Sequence, residues 1–256
     1  MDCGPATTVP ALKEGLSGRG LELGDVRHLL LSHIHLDHAG AAGVLVREHA
    51  GLQVHVSEIG APHLVDPARL EKSARRLYGD TFDSLWGELA PVPEENLHVV
   101  GDRVLGLECF PTTGHASHHM SYLSDDGTLY AGDAAGVRVQ PGRFVVPPTP
   151  PPEFELEAWL RTLDELERRA PDRLALIHFG VADDVPEHLA ELRTRLVNWA
   201  ERVRDGADEA DFVITARADL GPEAELYERA MPLWQSYAGL RRYWDKQEPR
   251  SAHWNG

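Results

Sequence analysis

Ser32-His33-Ile34-His35-Leu36-Asp37-His38 places three imidazoles and one carboxylate within six residues, directly after the strand-like run Val26–Leu31. Side-chain alternation puts His33 and His35 on one side of an extended chain. Asp37 and His38 are then expected in a turn, where the backbone can bend around an ion. Neutral imidazole and carboxylate are ligands that suit zinc, iron and manganese. With 14 His in 256 residues, roughly 0.003 copies of such a pattern are expected by chance, so a His-rich solvated turn is the weaker reading.

Three further groups follow. Thr113-Gly114-His115 comes after the apolar segment Val104–Phe110, Ala131-Gly132-Asp133 after Thr128–Tyr130, and Ile177-His178-Phe179-Gly180 after Leu174–Ile177. Each candidate ligand stands at the C-terminal end of a short run with β character. Short loops at strand ends are how a rigid sheet presents a metal site. A lone His in such a position is more often structural; the weight comes from the order of all four groups.

Taken together, HxHxDH, GH, GD and a late His resemble the metallo-β-lactamase superfamily, over about Met1 to Gly180. The resemblance implies an α/β fold, the αββα four-layer sandwich, and a dinuclear centre. One metal would be held by His33, His35 and His115. The other would be held by Asp37, His38 and His178, with Asp133 bridging the pair. Asp37 and Asp133 are then the catalytic carboxylates. Asp2 and His119 match supporting positions that orient the ligands. The β-lactamases that name the family usually lack the bridging Asp and place Cys among the ligands, and flavodiiron proteins carry Glu where His35 stands. This sequence follows the hydrolase pattern instead. Members normally have several strands before the segment that Met1–Pro5 resembles, so the N-terminal strands are expected to be short or missing from this sequence.

The implied activity is hydrolysis by a hydroxide shared between two divalent ions, zinc being the expected metal and iron or manganese also suitable. The sequence around His35–Gly40 and Gly132–Ala134 is similar to lactonase and thioesterase branches, and glyoxalase II-like enzymes share the same ligands. A carboxylic ester, thioester or lactone is the expected substrate class. Phosphodiester hydrolysis, as in tRNA-processing members, is the alternative within the family, and a non-catalytic metal-binding protein the alternative outside catalysis.

Composition bears on these classes. Asp plus Glu number 41 against 25 Lys plus Arg, a net charge of −16. Such a surface repels phosphate backbones and anionic membranes, so a small acyl substrate is expected and nucleic acid is not. No stretch approaches the ~20 apolar residues of a membrane span, and no secretory signal is visible at Met1–Pro5. Cys3 and Cys109 make no disulfide framework and read as small strand residues. A cytoplasmic location is expected.

The expected hydrolase domain runs over residues 1–184 and a helical extension over 185–256. Within the first, Thr8–Leu16 reads as a helix with Thr8 as cap, Gly40–His49 as a helix, Gln53–Val56 as a strand and 62–90 as mostly helical. That last segment either shapes a substrate pocket or forms a peripheral hairpin. Asp125-Asp126-Gly127 is a hairpin-turn signal. Pro147-Pro148-Thr149-Pro150-Pro151-Pro152 reads as a stiff connector into a helix over Glu153–Arg169. In the extension, Leu189, Leu192, Leu196, Trp199 and Val203 recur at helical spacing, as do Leu226, Ala230, Leu233, Trp234 and Tyr237. Phe212–Thr215 reads as a short apolar interruption, and Pro232 as a kink or restart. The aromatic residues are expected to pack against the main domain, with a homodimer interface or a lid over the site as alternatives.

Overall fold

The computed structural model describes residues 1–178 and 180–247, so Phe179 and the last nine residues of the expected extension lie outside the described residues. The chain divides into two compact units, Met1–Pro111 with His118–Asp125, and Thr112–Ser117 with Asp126–Gly256.

The first unit contains helix α1 (Val9–Ser17), strand β1 (His28–Leu30), the one-turn helix α2 (Leu36–Ala39), α3 (Ala42–Glu48), β2 (Gln53–Val56), α4 (Ala61–Val65), α5 (Ala68–Tyr78), α6 (Phe82–Leu85), β3 (Leu97–Val99), β4 (Arg103–Val104), β5 (Leu107–Pro111) and β6 (Met120–Leu123). Strands β1, β2 and β3 pair in parallel, with Leu29 opposite Val54 and Val54 opposite Leu97. The period of two sends Leu29, Leu31, Val54 and Val56 to one face. There they share a core with Val9 of α1, Leu45 and Val46 of α3, and Leu64 of α4. The other face carries His28, Gln53, His55 and His98. β4, β5 and β6 form an antiparallel meander.

Four local expectations are corrected in this unit. Thr8 occupies the cap position of α1, yet its hydroxyl donates to the Pro5 carbonyl (2.9 Å), because Ala6–Thr8 is already a 3₁₀ turn that points the side chain back. The helix expected from Gly40 starts at Ala42. Asp37 and His38 lie in α2, not in a turn: His35 is extended (ψ 153°) and its carbonyl accepts from the Ala39 N–H at 2.9 Å. Cys3 is buried but lies outside any strand, whereas Cys109 is in β5.

The second unit contains β7 (Thr128–Gly132), α7 (Leu156–Arg169), β8 (Arg173–Leu176), β9 (Gly180–Ala182), α8 (Val185–Arg204), α9 (Glu209–Leu220), α10 (Ala224–Ala230) and α11 (Leu233–Gln247). β7 and β8 are parallel, joined through α7 in a βαβ crossover, and β9 returns antiparallel to β8. Trp159, Leu163 and Leu166 of α7 and Leu192, Leu196, Trp199 and Val203 of α8 are buried. The helices after residue 184 therefore share their unit with the β7–β9 strands.

α7 begins at Leu156 and not at Glu153, for a visible reason. The Glu153 carboxylate accepts from the Ser117 amide and hydroxyl (3.1 and 2.6 Å), and the Glu155 amide donates to the Gly114 carbonyl (2.9 Å). Those bonds hold residues 153–155 in a non-helical path. Phe212–Thr215 is not an interruption but part of α9, which Asp208 caps by accepting from the Asp211 N–H. Phe212 meets Trp199 edge-on (5.3 Å), while Ile214 is 65% exposed, so the apolar run points two ways. Pro232 separates α10 from α11 as expected. The proline run is more than a connector: Pro147, Pro148 and Thr149 are buried, and the Thr149 hydroxyl donates to the Ser236 carbonyl (3.0 Å). A Cβ on Gly239 would come within 1.9 Å of the Thr149 oxygen, so only glycine lets α11 approach this closely.

Candidate metal centre

In the first unit the chain leaves β1 and turns through Ser32–His35 into α2. His33 and His38 are fully buried and His35 partly so. His33 Nε2 lies 2.9 Å from His35 Nδ1, and the His33 and His38 ring centroids are 4.0 Å apart. His119 (4.9 Å) and His118 (5.9 Å, stacked) complete the group around His33. So many protonated imidazoles at such separations would repel strongly, and a divalent cation is what makes convergent neutral imidazoles favourable.

Asp2 organises this cluster. Its Oδ1 accepts from the Ser32 amide (2.7 Å), and its Oδ2 accepts from the Ser32 hydroxyl (2.7 Å) and faces His38 Nδ1 at 2.9 Å. A carboxylate on Nδ1 fixes the tautomer that leaves the Nε2 lone pair for a ligand, and it raises ligand basicity. The Asp2 amide donates to Leu30 and the Cys3 amide to His38 (2.8 and 2.7 Å), which pins the acid between β1 and α2. Asp37, whose side chain is 39% exposed, is the accessible carboxylate of the motif; its Oδ2 is 3.3 Å from His38 Nε2.

In the second unit His115 Nδ1 donates to the Pro148 carbonyl (2.8 Å), which leaves Nε2 as the acceptor nitrogen. That nitrogen faces Asp133 Oδ2 at 3.2 Å, and His178 Nε2 faces Asp133 Oδ1 at 3.3 Å. Charge-assisted hydrogen bonds are shorter, about 2.7–2.9 Å. Two ligands on one cation, each about 2.0–2.2 Å from it, stand roughly 2.9–3.5 Å apart. Each oxygen of Asp133 thus pairs with a different imidazole at ligand–ligand spacing, so the donor set fits metal ions.

The backbone beneath these ligands is locked. Asp133–Ala135 is a 3₁₀ turn whose outward carbonyls are taken: Trp159 Nε1 donates to Ala134 (2.8 Å) and His188 Nε2 to Ala135 (2.7 Å). Burial pushes His188 below its ordinary pKa, keeping it neutral. Arg138, itself buried, bonds Asp184 beside it at 2.7 Å. Gly114 has φ +126°, and a Cβ there would lie 2.3 Å from Trp159 Cα, so His115 depends on a glycine before it.

His118, Trp159 and His188 are the supporting residues that the motif pattern did not single out. The doublet His118-His119 was a readable signal for the first. Trp159 and His188 are distant in sequence and gave none. Burial pushes the Cys3 thiol up to about 12 and the Cys109 thiol up to about 11, so both stay protonated at neutral pH.

A family model described as the metallo-β-lactamase superfamily matches residues 1–178. The chain belongs to the metallo-β-lactamase superfamily. A curated relative, the metallo-β-lactamase fold-containing protein ST1585 of Sulfurisphaera tokodaii, is 27% identical over 179 residues, covering 66% of this chain and 67% of its own. The crystal structure of ST1585 superposes with TM-score 0.62 at 24% identity, over 86% of this chain and 81% of that one. The family protein TTHA1429 from Thermus thermophilus gives TM-score 0.60 at 24% identity, over 95% and 82%. TTHA1623, solved in a di-iron-bound form, gives 0.54 at 21%, over 76% and 85%. The fold is therefore the metallo-β-lactamase fold, mixed α/β with a helical C-terminal region. The superfamily is generally hydrolytic, and no described helix is long and apolar enough to cross a membrane.

Proposed function

We propose that this protein is a metal-dependent hydrolase of carboxylic esters, thioesters or lactones, with seven side chains divided between two divalent cations. In this reading His33, His35, His115 and Asp133 would supply one donor group and Asp37, His38 and His178 the other, with the second oxygen of Asp133 between them. The observation that carries this reading is Asp133, each of whose oxygens faces a different imidazole Nε2 at 3.2 and 3.3 Å.

Bound dications lower the pKa of water towards ~7 and polarise a carbonyl oxygen, so no Ser or Cys nucleophile is required. Asp133 sets the spacing of the two donor groups. Asp37, the solvent-accessible acid, would take the proton of the attacking water and deliver it to the leaving group. Asp2 keeps His38 in its ligand tautomer. The net charge of −16 favours a compact acyl substrate over a polyanion. Zinc is our first metal, and iron stays in the panel because a relative of the same fold was solved with two irons.

The test is turnover of the metal-loaded protein, with a chelated control, on lactones, thioesters and bis(p-nitrophenyl) phosphate. Carbonyl turnover alone, lost on chelation, supports the proposal. Selective phosphodiester turnover replaces its substrate class, and silence with Zn, Fe and Mn overturns it.

A further inference from the structure

The polar face of the β1–β2–β3 sheet holds a second histidine group. His28, His55 and His98 come from three adjacent parallel strands and share that face by register: His28 is opposite Gln53, and His55 is opposite His98. His28 Nδ1 lies 3.0 Å from His55 Nε2, with ring centroids 5.2 Å apart. The His98 ring stacks on His55 at 5.1 Å and 26°, and its Nε2 is held by Gln53 Oε1.

We propose that His28 and His55 form an accessory site for a transition-metal dication of the Cu(II), Ni(II) or Zn(II) class, separate from the seven-ligand centre. The 3.0 Å nitrogen separation falls within the range expected for two ligands on one ion. Imidazole pairs suit these metals in particular. His55 is buried to 9% exposure between its neighbours and His28 is exposed, so one ligand is rigid and the other reachable from solvent. The stacked His98 fixes the His55 ring plane and leaves His28 as the adjustable arm. The remaining coordination positions of such a two-imidazole site are open, which makes it a weaker and more exchangeable site than a seven-ligand centre.

The experiment is zinc binding by equilibrium dialysis of the whole chain, with metal counted by elemental analysis. It is repeated on His28→Gln and on the His28→Gln/His55→Gln pair. Copper(II) electron paramagnetic resonance supplies the second readout. We expect the exposed His28→Gln change to leave folding and hydrolysis intact, to remove about one equivalent of the weakest-bound zinc, and to erase one nitrogen-coordinated copper signal. Unchanged stoichiometry and an unchanged copper spectrum in His28→Gln would overturn the site whatever the paired variant does. Metal loss confined to variants of His33 or His35 would also overturn it, while leaving the hydrolase proposal standing.

Discussion

Two groups of histidines lie within the first unit, and they differ in what stands behind them. His33, His35 and His38 sit on the loop and short helix after β1, where the Asp2 carboxylate holds His38 Nδ1 at 2.9 Å. His28, His55 and His98 sit on the strands themselves, where burial first and the neighbouring imidazoles second lower His55 to about 4. The same side chain is made a basic, oriented ligand in one place and a weakly basic one in the other. Proximity of imidazoles alone does not make a strong site. A carboxylate in the layer behind fixes tautomer and basicity, and in the proposed centre Asp133 would link the two donor groups.

The largest effect that would break this contrast is at Asp133. Asp133→Asn keeps the shape but removes the charge shared by His115 and His178. We expect loss of most turnover, at least ~100-fold, and of one metal equivalent from the seven-ligand centre; His28→Gln should leave turnover and that centre's metal unchanged. Retention of both metals and full activity in Asp133→Asn would dissolve the distinction.

Asp2→Asn comes next. Taking the carboxylate from His38 should weaken metal affinity by about 10–100-fold, read by competition with a chromophoric chelator. Equal affinity would mean that the acid only anchors Ser32.

Trp159→Phe tests the second unit without replacing a ligand, although the indole also meets the His115 ring edge-on at 5.8 Å. A smaller phenyl ring replaces the fully buried indole, so the Ala134 carbonyl loses its donor and packing volume is lost with it, together at least about 1–3 kcal/mol of stability by denaturant titration. Metal retention should fall with it if the turn positions Asp133.

The smallest effect is on stability against pH. The folded pKa of His55 lies near 4, below its ordinary 6.5, so the unfolded chain takes up this proton first as pH falls. The contribution is therefore present above the unfolded value and is lost as pH falls from about 6.5 towards about 4. In metal-free protein, His55→Gln should flatten the slope of unfolding free energy over that window. An unaltered slope would assign the acid sensitivity to other groups.

Much of this was legible because it is local. The spacing His33-x-His35-x-Asp37-His38 and the glycine-led His115 and Asp133 carry their chemistry in a few consecutive residues. The helical periodicity of α8 was readable because all its buried leucines face one way. Less legible were places where distant residues override local preference. Glu153 reads as a helix start, but Ser117 engages its side chain and the helix begins at Leu156. Phe212 and Ile214 look like one apolar run, yet tertiary packing buries the first and exposes the second. The proline run reads as a linker because its composition is stiff, and its burial depends on Gly239, some ninety residues later.

The sequence by itself determined the family and the candidate ligand types and their order, because metal coordination demands particular atoms and those atoms are written in the residue names. Only the tertiary structure decided which carboxylate stands behind which imidazole. It placed Asp2 on His38, gave the two oxygens of Asp133 to His115 and His178, and fixed the Asp133 turn through Trp159 and His188. It also gathered His28, His55 and His98 on one face. Hydrogen-bond direction and charge spacing are properties of three-dimensional distance, and residues far apart in the chain acquire them only when the backbone brings them together.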